Sequence, residues 1–141
     1  MSTNRTTDQD LVAAALAARQ YAYAPYSGYA VGAAVEADDG RVFAGCNVEN
    51  ASYGLTVCAE RSAVSAAVAA GALRIRRVAV AASAPPAPYP CGACRQVLRE
   101  FAGEQTPVLI AAGDDAAVYT RTTLGALLPM AFAPGNAPPD Q

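Results

Sequence analysis

Histidine, lysine and tryptophan are all missing from this chain of 141 residues. Without histidine a Ser-His-Asp triad is impossible. Without lysine there is no Schiff-base amine and no Walker A phosphate loop. The ten basic side chains are all arginines. Any metal must therefore be held by cysteine, aspartate or glutamate. The net charge is −2 and the sequence pI is near 5.0, which argues against a nucleic-acid duplex as partner. No apolar run reaches the ~20 residues of a membrane span; the stretch 63–73 is too short and contains Ser65. The start, residues 1–7, lacks the basic and apolar regions of a signal peptide. The expectation is a cytoplasmic protein with no membrane and no nucleic-acid partner. Thiols stay reduced there, so four cysteines read as metal ligands plus one spare, better than as two disulfides.

Alanine is abundant instead, at 35 residues, and lifts the apolar fraction without adding bulk. With the missing lysine it reads as a compositional bias, not as function. The length fits one domain over 1–141 with a single core, flexible at 1–7 and 133–141. There is no internal repeat and no linker. Residues 8–24 are predicted helical, with Leu11, Val12, Ala15 and Leu16 on one side and Pro25 as the stop. Strands are expected over 29–37 and 41–48 around Asp38-Asp39-Gly40, a hairpin signal. Residues 50–57 read as irregular. A helix over 58–70 closes at Gly71, and 77–82 is a short buried strand. Four prolines in 83–90 impose a loop. Then come a helix over 91–101, strands over 107–112 and 118–122, and a short helix over 123–128 before Pro129. The order αββαβαββα supports a mixed sheet with helices on its faces, hence an α/β class.

Two short blocks carry the chemistry. They are Thr56-Val57-Cys58-Ala59-Glu60-Arg61 and Pro90-Cys91-Gly92-Ala93-Cys94-Arg95. Cys58 supplies one thiolate and the C-x-x-C pair Cys91/Cys94 supplies two. Three soft ligands suit Zn²⁺ and leave its fourth position open to water. Glu60, two residues from a ligand, can move protons to and from that water. Both blocks follow loops and open helices, where backbone N–H groups and the helix dipole favour thiolates. Three thiolates leave the metal site with a formal charge of −1. Arg61 can offset part of it by donating to a ligand sulfur. Plainer interpretations exist. A glutamate in a first helical turn is favoured by the dipole alone, and Arg61 can be a solvated helix residue. C-x-x-C alone can be a redox pair. A purely structural zinc would need Cys46 as fourth ligand, but Cys46 lies in an expected strand and reads as a small buried apolar residue. Asn47 and Glu49 alternate along an extended end, so both point to one side and offer donors and acceptors for sugar hydroxyls.

Further blocks extend the pattern over nearly the whole chain. Ala24-Pro25-Tyr26-Ser27-Gly28-Tyr29-Ala30-Val31-Gly32-Ala33-Ala34 resembles an A-P-Y-S-x-F-x-V-G-A-A segment. Gly45-Cys46-Asn47-Val48-Glu49-Asn50-Ala51-Ser52-Tyr53 resembles G-C-N-[VI]-E-N-A-x-Y, and Leu127-Leu128-Pro129-Met130-Ala131-Phe132 resembles L-L-P-x-x-F. With the two cysteine blocks, these resemble cytidine deaminase in its small homotetrameric, three-cysteine form. The resemblance implies a three-layer α/β/α fold with a mixed five-stranded sheet and one Zn²⁺ per chain on Cys58, Cys91 and Cys94. It implies hydrolytic deamination of cytidine and 2′-deoxycytidine in pyrimidine salvage, with Glu60 as proton shuttle. It assigns Asn47 and Glu49 to the ribose, the Ala59 backbone to the base, and Val31 to the pocket lining. Tyr53 and Phe132 fall on surfaces where neighbouring subunits of a homotetramer complete each pocket. Tyr29 is a departure, standing where the family usually has phenylalanine against the base; its hydroxyl needs a partner if buried. A related deaminase acting on a nucleoside antibiotic such as blasticidin S would share the zinc blocks, but is not expected to keep the Asn47-to-Asn50 segment.

Overall fold

The computed structural model describes residues 5–132. Its elements are α1 (Asp8–Arg19), β1 (Val31–Ala37), β2 (Val42–Cys46), α2 (Ala59–Ala69), β3 (Ile75–Ala82), α3 (Gly92–Phe101), β4 (Pro107–Ala112), β5 (Thr120–Thr123) and α4 (Leu124–Leu127). A 3-10 turn, Tyr53–Leu55, sits in the segment expected to be irregular. The order is the expected one. The sheet runs β2-β1-β3-β4-β5, with β3/β4 parallel and the other pairs antiparallel. It is therefore mixed, and the β3–α3–β4 unit is what makes it so.

Period-two alternation sends β1 to both faces. Val31, Ala33 and Val35 join Val78, Val80, Val108 and Ile110 beneath α2 and α3. Ala34 joins Ala79, Ala81, Leu109 and Ala111 beneath Leu11, Val12, Ala15 and Leu16 of α1. Helices thus cover both faces, giving three layers. Small residues let the layers approach closely. A Cβ at Gly32 would sit 1.9 Å from the Ala15 carbonyl oxygen in α1, and one at Gly45 would sit 2.6 Å from the Ala63 amide in α2. At these two points backbone packs on backbone.

Several boundaries differ from expectation. α1 ends at Arg19 instead of running to 24, because the chain beyond is used in tertiary pairing. The Tyr23 amide donates to the Asn47 carbonyl at 2.9 Å, and the Glu49 amide donates to the Tyr23 carbonyl at 2.8 Å. β5 starts at Thr120, not 118, because the turn after β4 extends through a Val118 amide bond to the Asp115 carbonyl. The start is fastened from residue 6 onward: Thr7 caps α1 in a reciprocal box with Asp10, and Arg77 donates to the Thr6 carbonyl. The expected flexible end, 133–141, lies outside the described residues, as do 1–4.

Opposite the cysteine end of β3, charges replace apolar contacts. Glu36 on β1 is buried and accepts from Arg77 Nε at 2.6 Å and Arg76 Nη2 at 3.2 Å. Arg77 also pairs with Asp8 at 2.8 Å, and Asp8 accepts from Arg121. Burial pushes the Glu36 carboxyl up, but the two arginines outweigh it and hold it below its ordinary value.

Candidate active site

Both cysteine blocks sit at helix starts. Cys58 is the N-cap of α2 and Cys91 the N-cap of α3. Their carbonyls accept the first helical bonds, from the Ser62 amide at 3.1 Å and the Arg95 amide at 3.0 Å. Cys94, one turn into α3, is fully buried. The three sulfurs lie within 4.8 Å of one another, and Cys58 Sγ is 3.9 Å from Cys91 Sγ. Two sulfurs each ~2.3 Å from a tetrahedral zinc stand ~3.8 Å apart, so the donor set and its spacing fit that ion. Cys46, in β2 opposite Gly32, is not one of the clustered cysteines.

The surroundings favour a thiolate at Cys58. The Cys94 thiol and the Arg61 guanidinium hold Cys58 at about 5, against the desolvation of partial burial. Arg61 Nη2 lies 3.6 Å from Cys58 Sγ and donates to the Thr56 carbonyl at 3.2 Å. Its Nε is buried with no hydrogen-bond partner among the described residues. Cys94, sharing that cluster and desolvated, is pushed up.

Glu60, in the first turn of α2, is 4 % exposed. Burial raises its carboxyl to about 7; the Cys58 charge pushes the same way, and its own backbone amide and Arg61 offset part. A carboxyl so placed can hold or release a proton near neutral pH.

Glu60, Cys58 and Cys91 form part of the lining of a cavity of about 250 Å³, with Tyr29, Val31, Asn47, Glu49, Ala59, Pro88 and Tyr89. Asn47 Oδ1 accepts from the Val31 amide and its Nδ2 donates to the Tyr29 carbonyl, both at 2.9 Å. The carboxamide thus holds the entry to β1 and keeps one N–H and one lone pair in reserve. Glu49 Oε1 accepts from the Tyr26 and Ser27 amides, and Oε2 accepts from Ser27 Oγ at 2.5 Å. The Ser27 hydroxyl bond, with those amides, holds its carboxyl below the ordinary range against some desolvation. The Tyr29 hydroxyl donates to the Pro86 carbonyl at 2.5 Å, so the expected partner exists. Burial, then the Glu60 charge, raise that phenol, which keeps it a donor.

Tyr53 borders an adjoining hollow with Tyr26, Ser27, Glu49 and Thr56, its ring 5.8 Å from that of Tyr26 at 67°. It remains 75 % exposed, and Phe132 is 76 % exposed and lines neither of these hollows in a single chain. Ser27, Thr56, Pro88, Tyr89 and Arg95 were not singled out from the sequence. Ser27 lies in the Pro25-to-Gly28 turn and Arg95 directly follows Cys94, so position beside a motif was their available signal. Arg95 Nε donates to the Pro90 carbonyl at 2.6 Å and its Nη1 to the Leu127 carbonyl at 2.7 Å. It ties the residue before Cys91 to α4.

An α/β sheet that brings three thiols to two helix starts, beside one buried acid, has the make-up of a zinc hydrolase. Residues 5–110 match the family described as "Cytidine and deoxycytidylate deaminase zinc-binding region". The cytidine deaminase of Sporosarcina psychrophila is 43 % identical over 127 residues, covering 89 % of this chain and 90 % of that one. That of Mycobacterium tuberculosis is 47 % identical over 117 residues, 83 % of each. The crystal structure of cytidine deaminase from Burkholderia pseudomallei superposes with a TM-score of 0.81 at 47 % identity, covering 89 % of this chain and 99 % of that one. The chain belongs to the cytidine deaminase family.

Proposed function

We propose that this chain catalyses the hydrolysis of cytidine and 2′-deoxycytidine to uridine and 2′-deoxyuridine, with release of ammonia, in cytoplasmic pyrimidine salvage. The observation that carries the proposal is the cluster of Cys58, Cys91 and Cys94, two of which line one cavity with buried Glu60. Relatives named as cytidine deaminases support it. Cys58, Cys91 and Cys94 would hold one Zn²⁺ per chain. Bound there, zinc supplies the Lewis acidity that brings a water toward ionisation near neutral pH. Arg61, beside Cys58, offsets the charge of three thiolates.

The chain's own residues do the rest. Glu60 takes a proton from the attacking water and delivers one to ring N3, which makes C4 electrophilic. It then helps protonate the departing ammonia, so water's oxygen replaces the C4 amino group. Asn47 and Glu49 turn toward the ribose, the Ala59 backbone reads the base, and Val31 and Tyr29 pack on it. Glu49 is already oriented by Tyr26 and Ser27, so little ordering is needed when the sugar arrives. Tyr53 and Phe132 lie on contacts of a homotetramer that completes each pocket, which accounts for their exposure in one chain.

An activity panel on metal-analysed protein tests this. Cytidine and deoxycytidine should be turned over with one zinc per chain, followed by loss of cytidine absorbance. Free cytosine should be far poorer, because sugar contacts used in the transition state are lost. Turnover of blasticidin S in preference to cytidine would replace the reading. Sedimentation should give a mass near four chains.

A further inference from the structure

The proline-rich segment 83–90 forms one wall of the cavity through Pro88 and Tyr89. Pro88 and Pro90 are buried, while residues 83–87 are exposed. Half of its eight residues are prolines, which have no N–H to fasten the segment with. Its own bond runs from the Tyr89 amide to the Ala87 carbonyl at 2.9 Å. Two side chains reach it from elsewhere in the described chain. Arg95 of α3 holds the Pro90 carbonyl at the Cys91 end. Tyr29, at the entry to β1, holds the Pro86 carbonyl in the middle. Tyr29 belongs to both sides of this arrangement, because its ring lines the same cavity. Phenylalanine at this position would supply the ring without the bond.

We infer that the Tyr29 hydroxyl is a latch that holds Pro88 and Tyr89 in place, sets the width of the base cavity, and so makes Tyr29 a positioning residue that determines specificity. The inference rests on the nucleoside reading above. In that reaction C4 must face the sulfurs and Glu60. A substituent on the adjacent ring carbon, C5, must then fit at nearly the same depth. The wall that ends in Cys91 bounds that space, so its position matters more for C5-substituted rings than for cytidine.

Tyr29→Phe removes the hydroxyl and keeps the ring. Two measurements on the zinc-loaded protein follow. Amide hydrogen exchange at Tyr89, whose N–H bonds the Ala87 carbonyl, should accelerate by roughly 3- to 10-fold, the scale of one neutral hydrogen bond. The ratio of kcat/KM for 5-methylcytidine to that for cytidine should rise by a similar factor, roughly 3- to 10-fold. Unchanged exchange overturns the latch. An unchanged ratio overturns its role in specificity, even if exchange accelerates. A wild-type protein inert toward both nucleosides sinks the nucleoside reading instead, and the exchange measurement alone then decides whether Tyr29 is a latch.

Discussion

Glu36 and Glu60 are the same residue type, and both are almost completely buried, at 1 % and 4 % exposure. They behave in opposite ways. Two arginines reach Glu36 and keep it ionised. Among the described residues no ion pair reaches Glu60, and desolvation raises it to about 7. The first carboxylate joins β1, β3 and α1 at one end of the sheet. The second sits at the other end, where an unpaired acid costs stability but can exchange its proton. Burial alone therefore does not tell a structural carboxylate from a chemical one; the presence of a cation does.

The comparison breaks most sharply if Glu60→Gln retains activity. Removing the proposed proton carrier should lower kcat by at least the ~10²–10⁴ typical of general acid–base catalysis, with zinc content and folding intact. Near-normal turnover by the metal-loaded variant would move the proton chemistry elsewhere.

Glu36→Gln is the converse. It leaves Arg77 with Asp8 as its remaining carboxylate. Stability should fall by about 3 kcal/mol, the lower end for breaking a buried ion pair, while kcat per folded molecule is kept. Denaturant titration at fixed protein concentration measures the first quantity and steady-state kinetics the second.

Acid and base limbs sharpen the contrast further. Glu36 is depressed on folding, so its stabilisation is complete above its ordinary 4.5 and is lost as pH falls through the lower folded value. Glu60 is raised, so in metal-free protein its ionisation costs stability progressively as pH climbs from 4.5 to about 7. Melting curves of metal-free Glu60→Gln should overtake wild type across that interval, by on the order of 3 kcal/mol at most. Those of Glu36→Gln should converge with wild type as pH falls through the depressed folded value of Glu36. Parallel curves at all pH values would remove both assignments.

The smallest effect is expected at Cys46, which lies in β2 away from the three clustered sulfurs. Cys46→Ser should retain one zinc per chain and most activity. Zinc loss from this variant would point to a closed four-thiolate site.

The parts visible in the sequence are those set by local spacing. Cys58-x-Glu60 and Cys91-x-x-Cys94 mark the site because three soft ligands beside one acid suit a zinc ion with an open position, and the order of elements follows from periodicity and turn residues. Parts decided by distant partners were not visible. α1 stops at Arg19 because Tyr23 pairs with Asn47 and Glu49. The Glu36–Arg77 pair spans 41 residues, and the Tyr29 bond to Pro86 spans 57. Spacing marks Asn47 as a donor and acceptor for a sugar, but not that part of its carboxamide holds the start of β1.

The backbone contacts at Gly32 and Gly45 also bear on how such a chain can drift over generations. Core alanines and valines can trade volume with their neighbours, as apolar cores commonly tolerate. Positions 32 and 45 offer no such exchange, since an added methyl meets main-chain atoms of α1 or α2. At Gly45 that main chain belongs to the helix that begins with Cys58 and Glu60. One methyl in β2 would therefore displace a ligand and the acid together, without touching either. Interior side chains can trade volume, whereas the spacing between that strand and that helix is set by main-chain contact.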